Sequence, residues 1–260
     1  MNIYDYLADL SLTILSRRTR RPVSSFQEPD YTAALVTIFP QLLNMFGVRG
    51  CRYGGCFIHQ KPKVHFNSAV KGGAASCEGG DLLVLLKQTI DGIERYNATL
   101  FQLKMHGNNT NVHHIHGLGE LVQKELYTDW PQFSIINHGQ HLSYDVQPKT
   151  ITPGAQYMIV KQPKSSKPSI PHYSDTYFYH SIPCNNIRLD RNYILGSFLS
   201  KFLNWQTGRP ISARSAITED WSRFIWELIN TSKTSVFNRR NVHIQNQPRA
   251  NGDFFSLNYS

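Results

Sequence analysis

Two short apolar runs constrain this chain more than any other feature. Leu82-Leu83-Val84-Leu85-Leu86 and Thr99-Leu100-Phe101-Gln102-Leu103-Lys104 are each of strand length, with Asp91-Gly92 and Tyr96-Asn97 in the polar connection between them. The pattern predicts a β-hairpin with a long connection. Side chains alternate faces along a strand, so Gln102 and Lys104 point one way and Phe101 and Leu103 the other. Leu83, Leu85, Phe101 and Leu103 are expected to form the apolar layer. Asp81 stands at the start of the first run, after Glu78-Gly79-Gly80. Antiparallel pairing brings it near Gln102 and Lys104. An acid, an amide oxygen and an ammonium at one end of a hairpin can hold a divalent metal and the water it activates. The competing reading is a plain hairpin with a buried polar edge.

The flanking segments suggest layers around this hairpin. Ile3, Tyr6, Leu7, Leu10 and Ile14 have helical spacing, ended by Pro22. Phe26 to Phe46 reads as a second helix, with Tyr31, Ala34, Leu35, Ile38, Leu42 and Met45 on one face and a kink or a split in two at Pro40. Pro29 suits its first turn, and Glu28 or Asp30 suits its N-terminus. Val48 to Gly55 predicts a turn or short hairpin, and Lys63 to Phe66 a strand that would be the first of the sheet. Ser68 to Glu78, with its small residues, predicts a flexible loop that a phosphate backbone could approach closely. Leu118 to Tyr127 reads as a helix and Gln156 to Val160 as a strand. Helix, strand, hairpin, helix, strand is an α/β layer order with a mixed sheet.

Lys161 to Pro171 is rich in Lys, Ser and Pro, and reads as a linker or exposed loop. Tyr173, Tyr177, Phe178 and Tyr179 follow, as core or as a surface that stacks on bases. Helices are expected over Tyr193 to Trp205 and over Thr218 to Asn230. The second has Thr218 as N-cap and a buried face of Trp221, Phe224, Ile225, Leu228 and Ile229. The tail from Asn238 to Ser260 reads as irregular. This divides the chain into a core with its N-terminal helix, residues 1–160, and a linker with a helical C-terminal extension packed on it, residues 161–260.

Charge narrows the partner. The 27 basic and 18 acidic residues leave a net +9, which favours a polyanion. Arg17, Arg18, Arg20 and Arg21 form the densest cluster, and Lys161, Lys164, Lys167, Arg239 and Arg240 form lesser ones. Lys71, in the small-residue loop, and His106, after the second run, are further candidates for nucleic-acid contact. His113, His114 and His116 lack a carboxylate or cysteine partner at a metal-site interval. Cys51, Cys56, Cys77 and Cys184 are too sparse for a disulfide scaffold and read as reduced cysteines of a cytoplasmic protein. No apolar run reaches membrane-spanning length, and Met1 to Leu15 lacks the basic start of a signal peptide. No Gly-rich phosphate cradle is followed by Lys-Ser or Lys-Thr, so no ATP-binding motif is present.

At Asp81 and Gln102-Leu103-Lys104 the chain resembles the PD-(D/E)XK nuclease superfamily. Its pattern is an acid at the start of one strand and an acid-x-Lys triplet in the next. Gln102 stands where the triplet acid usually does. The resemblance covers Ser24 to Val160. It implies a restriction-endonuclease-like core with a central mixed β-sheet flanked by helices. It also implies an endonuclease that uses Mg²⁺ or Mn²⁺ to cleave nucleic acid, double-stranded DNA favoured. Asp81, Gln102 and Lys104 would be catalytic. Asp81, Gln102 and the Leu103 carbonyl would be metal ligands, with Glu78 or Glu28 as the extra acid that a neutral Gln102 makes necessary. Small nucleases of this superfamily serve as effectors in prokaryotic antiviral defence. That setting implies a partner such as a defence-system ATPase, and double-strand cutting implies a homodimer. The alternative is a catalytically inactive nucleic-acid-binding or partner-docking subunit with the same fold.

Overall fold

The computed structural model describes residues 3–46, 56–58, 62–91, 93–106, 112–137, 139–161, 178–183, 188–190, 193–235 and 256–259. The hairpin organises all of it. Strand β4 (Leu82–Ile90) and strand β5 (Ile93–His106) pair antiparallel from Leu82↔Phe101 to Ile90↔Ile93. The long connection expected between the apolar runs is therefore strand. Asp91, with φ 51, turns the chain beside Gly92, the pair that tight hairpin turns favour. The polar residues continue the ladder through cross-strand pairing: Lys87 forms a salt bridge with Glu94 and lies 5.8 Å from the centre of the Tyr96 ring.

β5 is an interior strand of an eight-stranded mixed sheet. Strand β9 (Ala155–Lys161) lies parallel to it, from Leu100↔Ala155 to His106↔Lys161. Beyond β9 come β10 (Phe178–Ser181) and β12 (Tyr193–Ile194), both antiparallel to their neighbours. On the other side of β4 lie β1 (Cys56–Phe57), antiparallel, and β14 (Ser256–Tyr259), parallel. Strand β13 (Arg209–Ile211) pairs with the first half of β5. The region after residue 161 is thus more than a helical extension, because it adds four strands to this sheet. β14 also corrects the expectation of an irregular tail. Residues 162–177 and 238–255, with Lys164, Lys167, Tyr173, Tyr177, Arg239 and Arg240, lie outside the described residues, as do 47–55.

Both faces of the sheet are covered, which is why its strands read as continuous apolar runs. Leu82, Val84, Leu86, Phe101, Leu103, Met158 and Val160 face one core. That core is closed by α1 (Ile3–Thr19), α2 (Glu28–Ala33), a π-helical turn (Ala34–Ile38), α3 (Phe39–Phe46) and α5 (Leu195–Leu203). The irregularity expected at Pro40 sits just before it. Proline has no N–H for the preceding turn, and the π turn absorbs that loss. Leu83, Leu85, Ala98, Leu100, Tyr157 and Ile159 face a second core. The expected layer of Leu83, Leu85, Phe101 and Leu103 is therefore split, because the register pairs Leu82 with Phe101.

The second core is closed by α4 (Gly117–Asp129), α6 (Asp220–Ser235) and a smaller antiparallel sheet. That sheet runs β3 (Gly73–Glu78), β2 (Lys63–Ser68), β7 (Phe133–Asn137) and β8 (Gln140–Tyr144). Lys63 to Phe66 is thus a strand of the smaller sheet and not the first of the central one. The expected loop from Ser68 to Glu78 is mostly strand β3, whose small side chains alternate between burial and exposure. The five predicted apolar residues of α6 are all buried. Thr218 lies before that helix and contacts Ser212 Oγ at 3.4 Å instead of capping it. A two-stranded ladder of β6 (Val112–His114) and β11 (Arg188–Asp190) leads into α4. The molecule is α/β, with mixed and antiparallel sheets flanked by helices. Among the described residues no helix is long and apolar enough to cross a membrane.

Candidate active site

β5 outruns β4, and the site lies where it does so. β4 begins only at Leu82, and the Asp81 N–H closes the ladder on the Phe101 carbonyl at 2.8 Å. Past that point the β5 backbone groups that would have met β4 need other partners. Carboxylates supply them. Asp81 Oδ2 accepts the Leu103 N–H at 2.7 Å, and Glu28 Oε1, from the first turn of α2, accepts the Met105 N–H at 3.1 Å. The N–H and C=O of one strand residue point to the same side. The Leu103 carbonyl therefore opens on the edge that Asp81 and Glu28 occupy.

Gln102 faces the second core, opposite Leu103. Its Nε2 donates to Asp81 Oδ2 at 2.5 Å. Its Oε1 is buried with no hydrogen-bond partner. Asp81 is fully buried and Gln102 is 5% exposed. α4 holds the segment that delivers Asp81. Gln123 Nε2 donates to the Glu78 carbonyl at 2.8 Å and Tyr127 Oη to the Gly79 carbonyl at 3.0 Å. Gly80 has no room for a side chain, since a Cβ there would lie 3.0 Å from Tyr127 Oη and 3.3 Å from the Phe101 carbonyl. Burial, with the nearby Asp81 charge, holds the Tyr127 phenol protonated far above its ordinary range.

Of the two candidate extra acids, Glu28 is the one bonded to the β5 edge. Glu78 ends β3, where Gln123 takes its backbone carbonyl. Its charge adds to burial in pushing the Cys77 thiol up to about 12. Lys104 lies on the same face of β5 as Gln102, and its Nζ is 3.2 Å from Glu120 Oε1 at the start of α4. Glu120 Oε2 accepts the His116 N–H at 2.7 Å, and His113 Nε2 is 4.0 Å from Glu120 Oε1. Burial lowers the His113 pKa, against the upward pull of Glu120 and with the downward push of Lys104, His106 and His116. The half-buried His106 ring lies 6.0 Å from that of His113.

The arginine run ends α1 close to Glu28. Arg21 pairs with both oxygens of Asp30, at 3.0 and 3.1 Å, two residues beyond Glu28. Arg17, Arg18 and Arg20 are exposed. Lys71 is elsewhere, in the β2–β3 turn, with Nζ on the Ala74 carbonyl at 2.8 Å. That turn is anchored to α4 through Glu125, which accepts from Ser68 Oγ and from the Ala69 N–H.

Sequence reading missed Glu120, Gln123 and Tyr127. Gln123 and Tyr127 are four apart on a helix and so share a face. Gln123 and Tyr127 at that spacing in the predicted helix are the signal that was available. Among the described residues no three His, Cys, Asp or Glu side chains form a metal-holding group. The donors at the end of β5 are oxygens: two carboxylates, the Leu103 carbonyl, and Gln102 Oε1, orphaned as it stands. That donor chemistry fits a hard divalent cation. Compared with protein-family models, curated proteins and solved structures, the chain matches none.

Proposed function

We propose that this protein is a Mg²⁺- or Mn²⁺-dependent endonuclease with a restriction-endonuclease-like core, acting on nucleic acid and on DNA by preference. The observation that carries the reading is the end of β5. Carboxylates from two separate elements, Asp81 and Glu28, are bonded to successive outward N–H groups of one strand edge, with the Leu103 carbonyl between them. A divalent cation held there supplies an acidified water and neutralisation of phosphate charge. Asp81, Glu28 and the Leu103 carbonyl are the residues that would hold it, and Gln102 would turn its free amide oxygen inward. Lys104, on the neighbouring face, stabilises negative charge that develops on the phosphate. Arg17, Arg18 and Arg20 attract the backbone from the Glu28 side.

Complete burial of Asp81 favours a second reading, in which the carboxylate merely completes the ladder beyond β4 and the protein binds nucleic acid without cutting it. A metal series separates the two. Incubation with plasmid DNA, single-stranded DNA and RNA should give cleavage with Mg²⁺ or Mn²⁺ and none in excess EDTA. Binding without cleavage under every metal condition overturns the nuclease reading.

A further inference from the structure

We infer that Glu120 is a positioning residue that holds Lys104 in its working orientation; this rests on the nuclease reading above. Lys104 sits on β5, but its long side chain has four rotatable bonds, and confining it costs rotamer freedom. An ammonium that must meet developing charge works best if it is fixed beforehand. Glu120 is built to fix it. Its Oε1 is 3.2 Å from Lys104 Nζ, and its Oε2 is tied to the His116 N–H at 2.7 Å. The carboxylate is thus anchored to the start of its own helix, and that helix is anchored to the segment carrying Asp81 through Gln123 and Tyr127. One helix therefore sets both the position of Asp81 and the direction of Lys104. The Lys104 side chain is only 12% exposed and that of Glu120 28%, so water screens the pair less than it would a surface salt bridge. His113 Nε2 lies 4.0 Å from the same oxygen and adds no second anion.

The test pairs a labelling readout with a kinetic one in the full chain. Glu120→Gln keeps an acceptor for the His116 N–H and removes the charge that faces Lys104. Acylation of Lys104 by an amine-reactive ester, followed by mass spectrometry, should speed up several-fold in E120Q, with the other lysines unchanged. Turnover should fall about tenfold at an unchanged KM for nucleic acid, and Glu120→Asp should recover part of the loss. In a Lys104→Met background, E120Q should lower the residual rate no further. Unchanged labelling of Lys104 overturns the pairing with Glu120. Faster labelling with undiminished turnover, in a wild type that cleaves, overturns the role and leaves the nuclease reading standing. A wild type that cleaves nothing removes the nuclease reading, and this role with it.

Discussion

Asp81 acts at the scale of one residue, and its burial decides which variant is informative. Its Oδ2 serves the Leu103 N–H and the Gln102 amide together. Asp81→Ala leaves both donors buried without that acceptor, and unpaired buried donors cost about 1–3 kcal/mol each. Denaturant unfolding should therefore show Asp81→Ala less stable than wild type by on the order of 3 kcal/mol. Asp81→Asn keeps one amide oxygen as acceptor and should lose less than half as much. Equal stability of Asp81→Ala and wild type would mean that the carboxylate is not what closes the strand end. The contact of Asp81 with Gln102, and the place of Lys104 on the Gln102 face of its strand, were legible in the sequence because strand alternation and one hairpin suffice to set them. Glu120 was not, because its approach to Lys104 depends on how a helix after residues 107–111 docks on the sheet, and no local pattern encodes that.

Among the elements, the hairpin and the helices were legible, since long apolar periodicity carries its own partner-independent signal. β3 was hidden. Gly73-Ala74-Ala75-Ser76 looks like a loop in isolation and is a strand only because β2 offers it a ladder from Lys63↔Glu78 to Ser68↔Gly73. The C-terminus of α1 carries the test of nucleic-acid binding. Arg21 is committed to Asp30, so its replacement would disturb the start of α2 as well as the charge. Arg17, Arg18 and Arg20 are exposed and can be neutralised without that cost. Replacing these three by Gln should weaken DNA binding and flatten the plot of log affinity against log salt by up to about 2.7, which is about 0.9 for each phosphate that an arginine no longer neutralises. An unchanged slope would reassign the run to a solvated helix end.

On the scale of the whole molecule, the central sheet draws strands from both ends of the chain, and a boundary at residue 160 cuts through it. β10, β12 and β13 were missed because two to four residues between irregular segments carry no periodicity. They bring a buried imidazole into the sheet. His180, on β10, lies between Phe198 and Tyr193, with Nδ1 3.0 Å from Gln156 Oε1. Burial, aided by Lys201, lowers its pKa from 6.5 to about 4. Between those values the unfolded chain binds the extra proton and the folded one does not, so stability rises with pH. Its contribution is complete above pH 6.5 and is lost as pH falls towards 4, by about 3 kcal/mol. Denaturant midpoints across that window should fall less in His180→Gln than in wild type, and parallel curves would place the acid sensitivity elsewhere. The two carboxylates and the lysine at the end of β5 are proposed to make an active site. The most direct measurement is the Mg²⁺-dependent nicking rate of supercoiled plasmid by wild type, Asp81→Asn, Glu28→Gln and Lys104→Met, each matched for thermal melting. Wild type should nick, Asp81→Asn and Lys104→Met should lose at least a hundredfold, and Glu28→Gln should lose less. Folded variants that nick as fast as wild type would contradict that proposal.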